Sequence, residues 1–278
     1  MFNDAASPPP PPPPSPPSPP EEGIELRSHF VRARNAVVIR AAFSELYVDY
    51  FLHLAAHHLK PAAEHIRLFK EALAAFVLHC AGRPRYEMIA WTLHFDEPLV
   101  NLFLTADNEE GSVVGRILAE NVRVMGANSL YADVVDHGKP PRRSSVPFTG
   151  VDSFRAAEAF YLQSEQRPAR FFAIAPEEFV MIGAHPDCDT AWFEALTVDA
   201  VRDLDKTETL ALLERRRYAW RCGCNQPKLL RVLAPVMRKD PAELFGDAPS
   251  VQVSCPRCAA HHIITKEAME AFIAEHPA

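Results

Sequence analysis

Arg221-Cys222-Gly223-Cys224-Asn225 and Ser254-Cys255-Pro256-Arg257-Cys258 are the two stretches on which the reading of the chain turns. Each carries two cysteines on a tight turn, and thirty residues separate Cys224 from Cys255. Two close pairs held apart in this way are what a tetrahedral Zn²⁺ site needs. The intervening segment folds back and the second pair closes the tetrahedron. Gly223 and Pro256 suit the turns, since one admits unusual φ values and the other fixes φ. Four thiolates leave no open coordination position, so the spacing predicts a structural or redox-active site, not a hydrolytic one. Two unrelated reduced pairs are the plain alternative.

Composition sets the frame around this site. The chain has 278 residues, 48% of them hydrophobic, enough for one sizeable core and a small module. The apolar run Ala72 to Leu78 is broken by His79, far short of a membrane span. No basic region followed by an apolar stretch opens the chain, so no secretory signal is read. The six cysteines are then expected in a reducing, cytoplasmic setting, where metal or redox chemistry outweighs a disulfide scaffold. Charge is uneven. Residues 215–278 hold 10 Lys+Arg against 6 Asp+Glu, a net +4, and the remainder 19 against 30, a net −11. An acidic body argues against a nucleic-acid-binding core.

Local patterns predict an α+β arrangement. Residues 1–22 form a proline-rich tail, with Pro8 to Pro14 unbroken, that is expected to be a disordered spacer. Val37-Val38-Ile39 marks strands within 24–43, and Ser44 opens a helix with Leu46, Tyr50, Phe51 and Leu54 at helical spacing. Pro61 starts a second helix bearing Ile66, Phe69, Leu73, Phe76 and Val77, stopped by Gly82 and Pro84. Residues 86–148 read as consecutive strands separated by turn residues, and Asp152 or Ser153 caps the helix that follows. Another hairpin is expected over 170–182, then two short helical pieces over 190–217, with Thr197 and Thr207 as caps. Arg215-Arg216-Arg217 reads as the solvated end of the second piece. Strands followed by helices without regular βαβ alternation give the α+β class.

Other chemistry-bearing residues receive plainer readings. His53 and His57 have the i,i+4 spacing of a metal pair, but without a glutamate beside the first or a third ligand nearby they read as solvated or packed histidines. Cys80 reads as a buried thiol. His185-Pro186-Asp187-Cys188-Asp189 reads as a loop and helix cap. Asp240-Pro241-Ala242-Glu243 is a capping box with proline at the first helical position, inside the zinc loop.

The C-x-C pair, its spacing to C-x-x-C, and the stretch Phe160-Tyr161-Leu162-Gln163-Ser164-Glu165-Gln166-Arg167-Pro168-Ala169-Arg170 together resemble the heat shock protein 33 family of redox-regulated chaperones. The resemblance covers most of residues 29–265. It implies an α+β core, a linker and a C-terminal zinc module, with Cys222, Cys224, Cys255 and Cys258 as the zinc ligands. His261 stands where the family often has a histidine that is not a ligand. Phe95-Asp96-Glu97-Pro98 departs from the family's G-D-G-P turn, and the stretch leading to Cys222 is much shorter than the family's linker.

The organisation expected is a tail over 1–22, a chaperone core over 23–184, a short helical linker over 185–220 and a zinc-binding redox-switch module over 221–278. The function expected is that of an ATP-independent holdase, not an enzyme. It carries one Zn²⁺ when reduced and is activated when oxidation pairs Cys222 with Cys224 and Cys255 with Cys258. Its partners would be unfolded or partly folded client proteins, not membranes or nucleic acid, and a homodimer in the oxidised state is allowed for. The alternative is a zinc-ribbon nucleic-acid-binding protein, supported by the +4 module, Tyr218, Trp220 and the three arginines. A thiol–disulfide oxidoreductase is weaker still, because the C-x-x-C follows no thioredoxin-like βαβ pattern.

Overall fold

A computed structural model describes residues 22–136 and 138–276. The proline tract falls outside the described residues, so its reading as a spacer stays an expectation. The strands are β1 (Ile24–Val31), β2 (Ala36–Ala42), β3 (Glu87–Phe95), β4 (Val100–Asp107), β5 (Ser112–Leu118), β6 (Asn128–Asp136), β7 (Arg142–Phe148), β8 (Ala169–Ala175), β9 (Glu178–Ala184), β10 (Leu210–Trp220), β11 (Ser250–Ser254) and β12 (His261–Thr265). The helices are α1 (Ser44–Ala56), α2 (Ala63–Ala81), α3 (Ser153–Gln163), α4 (Thr190–Ala195), α5 (Val198–Arg202), α6 (Leu204–Thr207), α7 (Gln226–Lys239), α8 (Pro241–Phe245) and α9 (Lys266–Glu275). The class is α+β, as the order of the patterns predicts.

Ten strands form one sheet in the order β7-β6-β3-β4-β5-β10-β1-β2-β9-β8. Its pairs are antiparallel except for a short parallel contact, Ala219 with Ser112 and Trp220 with Val113, that joins β10 to β5. Alternation of side chains across β3 sends Ile89, Trp91, Leu93 and Phe95 inward, all fully buried.

Helix α2 is the centre of the core. Alanines at 72, 74 and 75 let it lie close to the sheet, while Leu68, Phe69, Leu73, Phe76 and Val77 fill the space around it. Gly115 of β5 passes directly beneath. A Cβ there would sit 2.4 Å from the carbonyl oxygen of Phe103 and 2.9 Å from the ring of Phe69. Asp152 caps α3 by accepting from the amides of Phe154 and Arg155. A second cluster, including Val38, Phe172, Ile182, Phe193 and Leu204, brings α4, α5 and α6 against other strands of the sheet.

Two readings are corrected in residues 190–220. Three short helices replace two; Thr197 caps α5 as expected, but Thr207 ends α6 instead of capping a helix. Arg215-Arg216-Arg217 is no helix end. It lies within β10, between β1 and β5. Alternate residues of this strand face opposite ways, so Arg216, Tyr218 and Trp220 point toward the helices. Arg216 donates to the carbonyl oxygens of Cys80 (3.3 Å) and Arg83 (2.6 Å), at the C-terminal end of α2. A cation there answers the helix dipole, and leucine- and arginine-rich sequence becomes strand because the tertiary setting overrides local propensity.

Residues 226–275 fold around their own small apolar cluster of Leu229, Leu230, Met237, Phe245, Ile264 and Met269. Asn225 caps α7, and Asp240 caps α8 with Pro241 in its first turn, as the capping signature predicts. Strands β11 and β12 form a two-stranded antiparallel ribbon.

Candidate metal centre

The four cysteines converge. Their sulfurs all lie within 4.8 Å of one another. Cys222 Sγ is 3.7 Å from Cys255 Sγ, and Cys224 Sγ is 3.6 Å from Cys258 Sγ. A tetrahedral ion with bonds of about 2.3 Å to sulfur requires S···S edges of about 3.8 Å. The donor set therefore has the size and chemistry to hold a metal ion.

Each pair is positioned by its own backbone. Gly223 adopts φ +65°, which lets the chain double back between Cys222 and Cys224. Its carbonyl accepts from Lys228 Nζ at 2.8 Å. In the second motif the Cys255 amide donates to the Ala260 carbonyl at 2.8 Å, and the Ala259 amide donates to the Cys255 carbonyl at 2.9 Å. These bonds close a knuckle around Cys258. Cys255 and Cys258 are buried, and Cys222 and Cys224 are partly covered.

As thiols, Cys222, Cys224 and Cys258 titrate against one another, since several negative sulfurs cannot share this space without a cation. Hydrogen bonding from Cys258 draws Cys222 down to about 5. Burial, reinforced by the charge on Cys222, pushes Cys224 up to about 12. Cys258 also rises, chiefly through its hydrogen bond to Cys222. A divalent cation would hold all four as thiolates.

The site is seated on the core, not suspended from it. Cys255 and Cys258 pack with Val114 of β5, Ala260 and the Trp220 ring. Arg116 Nη1 donates to the Cys255 carbonyl at 3.2 Å. His53 Nε2 lies 2.7 Å from the Cys258 carbonyl oxygen, and the His261 amide donates to His57 Nδ1 at 3.3 Å. The i,i+4 histidines are thus packed residues engaged with backbone. In the sequence only their shared helix face signals this role, since the backbone groups they meet lie more than 200 positions away. Trp220 packs at a tilt against Tyr50 and His53, at 5.0 and 5.6 Å between ring centroids.

The remaining residues singled out from sequence lie elsewhere. Cys80 is fully buried, and burial pushes its thiol well above the usual range. Asp189 caps α4 by accepting from the Trp192 amide and also pairs with Arg34. Tyr218 is fully buried, and Arg217 Nη2 donates to the Gly23 carbonyl.

No family model matches the chain. The 33 kDa chaperonin of Nitrosococcus oceani is 22% identical over 267 residues, covering 85% of this chain and 91% of that protein. The crystal structure of the 33 kDa chaperonin (heat shock protein 33 homolog) of Thermotoga maritima shares the fold with a TM-score of 0.69 at 13% identity, covering 91% of this chain and 99% of that one. The sequence relative and the structural neighbour carry the same name, that of the family which the cysteine spacing resembles, and the neighbour shows that this chain shares its fold.

Proposed function

We propose that the protein is an ATP-independent holdase chaperone whose client binding is switched on by oxidation of Cys222, Cys224, Cys255 and Cys258. The convergence of these four sulfurs on one metal-sized site carries the reading. The names of the sequence relative and the structural neighbour support the chaperone role. Zn²⁺, bound by the four thiolates in the reduced protein, would supply a non-local crosslink between residues 222 and 258. We assign residues 23–184 to the client-binding core, 185–220 to the connection and 221–278 to the switch module. The last eleven residues of that connection are β10, so it is partly built into the sheet.

A peroxide supplies the oxidant. One thiolate attacks the O–O bond, becomes a sulfenic acid and releases hydroxide. A second thiol of the same motif then displaces water from that sulfenic acid and closes the disulfide. Each motif loses two electrons and the one proton of its thiol, the hydroxide takes a proton from solvent, and each peroxide is reduced to two waters. A bond within Cys222–Cys224 or Cys255–Cys258 closes only a tiny loop, so the long-range tie is gone. The small apolar cluster of the module then has little to hold it. Its loosening uncovers apolar core surface for clients.

The features that favoured nucleic-acid binding are largely engaged inside the fold. Tyr218 is buried, Trp220 packs on Tyr50, and Arg216 serves the end of α2. The test is suppression of client aggregation by reduced and by peroxide-treated protein, with metal release followed in parallel. Suppression that appears with metal loss supports the switch. Equal suppression by both forms removes it, and none in either removes the chaperone.

A further inference from the structure

We infer that His53 and His57 are a latch that fastens the cysteine-bearing module to α1, and that opening this latch is how the core senses the state of the cysteine site. The regulatory part of the inference rests on the proposed chaperone function; the latch itself does not.

The two contacts have complementary chemistry. His53 Nε2 faces the Cys258 carbonyl oxygen, so that nitrogen carries the proton and donates. His57 Nδ1 faces the His261 amide, so that nitrogen is bare and accepts. One histidine takes an orphan acceptor of the module and the next takes an orphan donor. The rings continue the contact: His53 and His57 are 4.8 Å apart, and His57 and His262 6.1 Å.

Both backbone groups belong to the segment that the second cysteine motif shapes. Ala259, between them, has φ +62°, and the knuckle's bonds run from Cys255 to Ala260 and from Ala259 to Cys255. The positions of the Cys258 carbonyl and the His261 amide therefore depend on a closed knuckle. When the knuckle opens, the two histidine bonds lose their geometry together. Neither histidine needs to touch sulfur to register the event.

What the latch covers suits a chaperone. A cleft of about 580 Å³ runs between α1 and the module, lined by Tyr50, Leu54, Arg116, Cys258 and His261 among others. Elsewhere on its surface α1 also turns Phe51 and Leu52 outward, 43% and 63% exposed. Undocking would uncover the covered aromatic and aliphatic edge of Tyr50, Leu54 and Leu59, an apolar face for an extended segment of an unfolded chain.

The test compares the full chain with H53L/H57L and with H53Q/H57N, all reduced and zinc-loaded. Glutamine keeps a donor near the Nε2 position and asparagine keeps an acceptor near the Nδ1 position. Amide hydrogen exchange, metal content and aggregation of a chemically unfolded model protein are measured. The leucine pair is expected to retain its metal, to exchange at least tenfold faster over residues 258–262, and to suppress aggregation without oxidant. The glutamine–asparagine pair is expected to restore both protection and the off-state. Unchanged exchange in the leucine pair overturns the latch, and so does loss of metal, which would make the histidines part of the site's framework. Faster exchange without aggregation suppression, when oxidised wild type does suppress it, overturns the sensing role. Failure of oxidised wild type to suppress aggregation refutes the chaperone reading instead, and the exchange data then judge the latch alone.

Discussion

Tyr218 of β10 donates its hydroxyl to Asn108 Oδ1 at 2.9 Å, and both side chains are buried. Asn108 in turn donates to the carbonyls of Cys80 and Pro84, each at 3.0 Å. One side-chain amide thus ties the turn after β4, the end of α2 and the strand that leads to Cys222. The cysteine-bearing segment leaves the core from a fixed base.

Removing that amide should be costly. Asn108→Ala leaves the Tyr218 hydroxyl and two carbonyls without this partner and is expected to destabilise the fold by about 2–4 kcal/mol. Tyr218→Phe removes one hydroxyl bond and should cost about 1 kcal/mol. Urea denaturation measures both, and equal midpoints for wild type and Asn108→Ala would refute the tie.

How far the sequence carries follows from these same residues. The strands of 86–148 are legible because inward and outward residues alternate, and Asp152 and Asp240 sit at helix starts because their side chains accept from free amides. The cysteine site is legible because ligand spacing is local within each pair. Strand β10 is not, since Leu, Glu and Arg carry no β signal. It is held by Arg216 and Tyr218, whose partners lie 110 to 136 positions away. The engagement of His53 with Cys258 is hidden for the same reason: 205 positions separate them.

Metal removal should act on the module alone. Its buried apolar cluster is small, so chelation of reduced protein is expected to erase amide protection over residues 226–275 and leave β3 and β4 unchanged. Elemental analysis should find one zinc per chain in wild type and in Cys188→Ser, and none in Cys255→Ser. Zinc loss in Cys188→Ser would overturn the ligand assignment.

Acid should weaken the core through His79. This side chain is fully buried, its Nδ1 2.9 Å from the Tyr161 hydroxyl. Burial holds it well below the ordinary imidazole range, and Arg83 and Arg167 push the same way. The unfolded chain therefore binds a proton that the native chain refuses. Above pH about 6.5 neither form is protonated and the group leaves stability flat. Below about 6.5 stability falls, by up to about 1.4 kcal/mol per pH unit for one proton, until the folded-state value is reached. Urea midpoints from pH 8 to 5 should drop less steeply in His79→Leu than in wild type. Parallel curves would assign the acid sensitivity to other groups.

In the proposed switch, the pairing of the oxidised cysteines decides whether the module is released. In the reduced structure the close sulfur contacts cross between motifs, Cys222 with Cys255 and Cys224 with Cys258. Proximity in the closed site alone would therefore not select local disulfides. Connectivity does. Once the first sulfur is oxidised and the knuckle opens, partners two or three positions away stay near, whereas those across the thirty-residue loop drift apart. Loop-closure entropy then favours the short loops by a factor on the order of tenfold. Gly223, with φ +65°, gives the first motif the backbone freedom that so short a ring demands. Peptide mapping of peroxide-treated protein should find Cys222–Cys224 and Cys255–Cys258 as the main products. Gly223→Val should slow the first bond and delay aggregation suppression, with Cys255–Cys258 forming normally. Dominant Cys222–Cys255 and Cys224–Cys258 crosslinks would mean that the bonds close inside the intact site, that the tie between residues 222 and 258 survives oxidation, and that release of the module is not the switch.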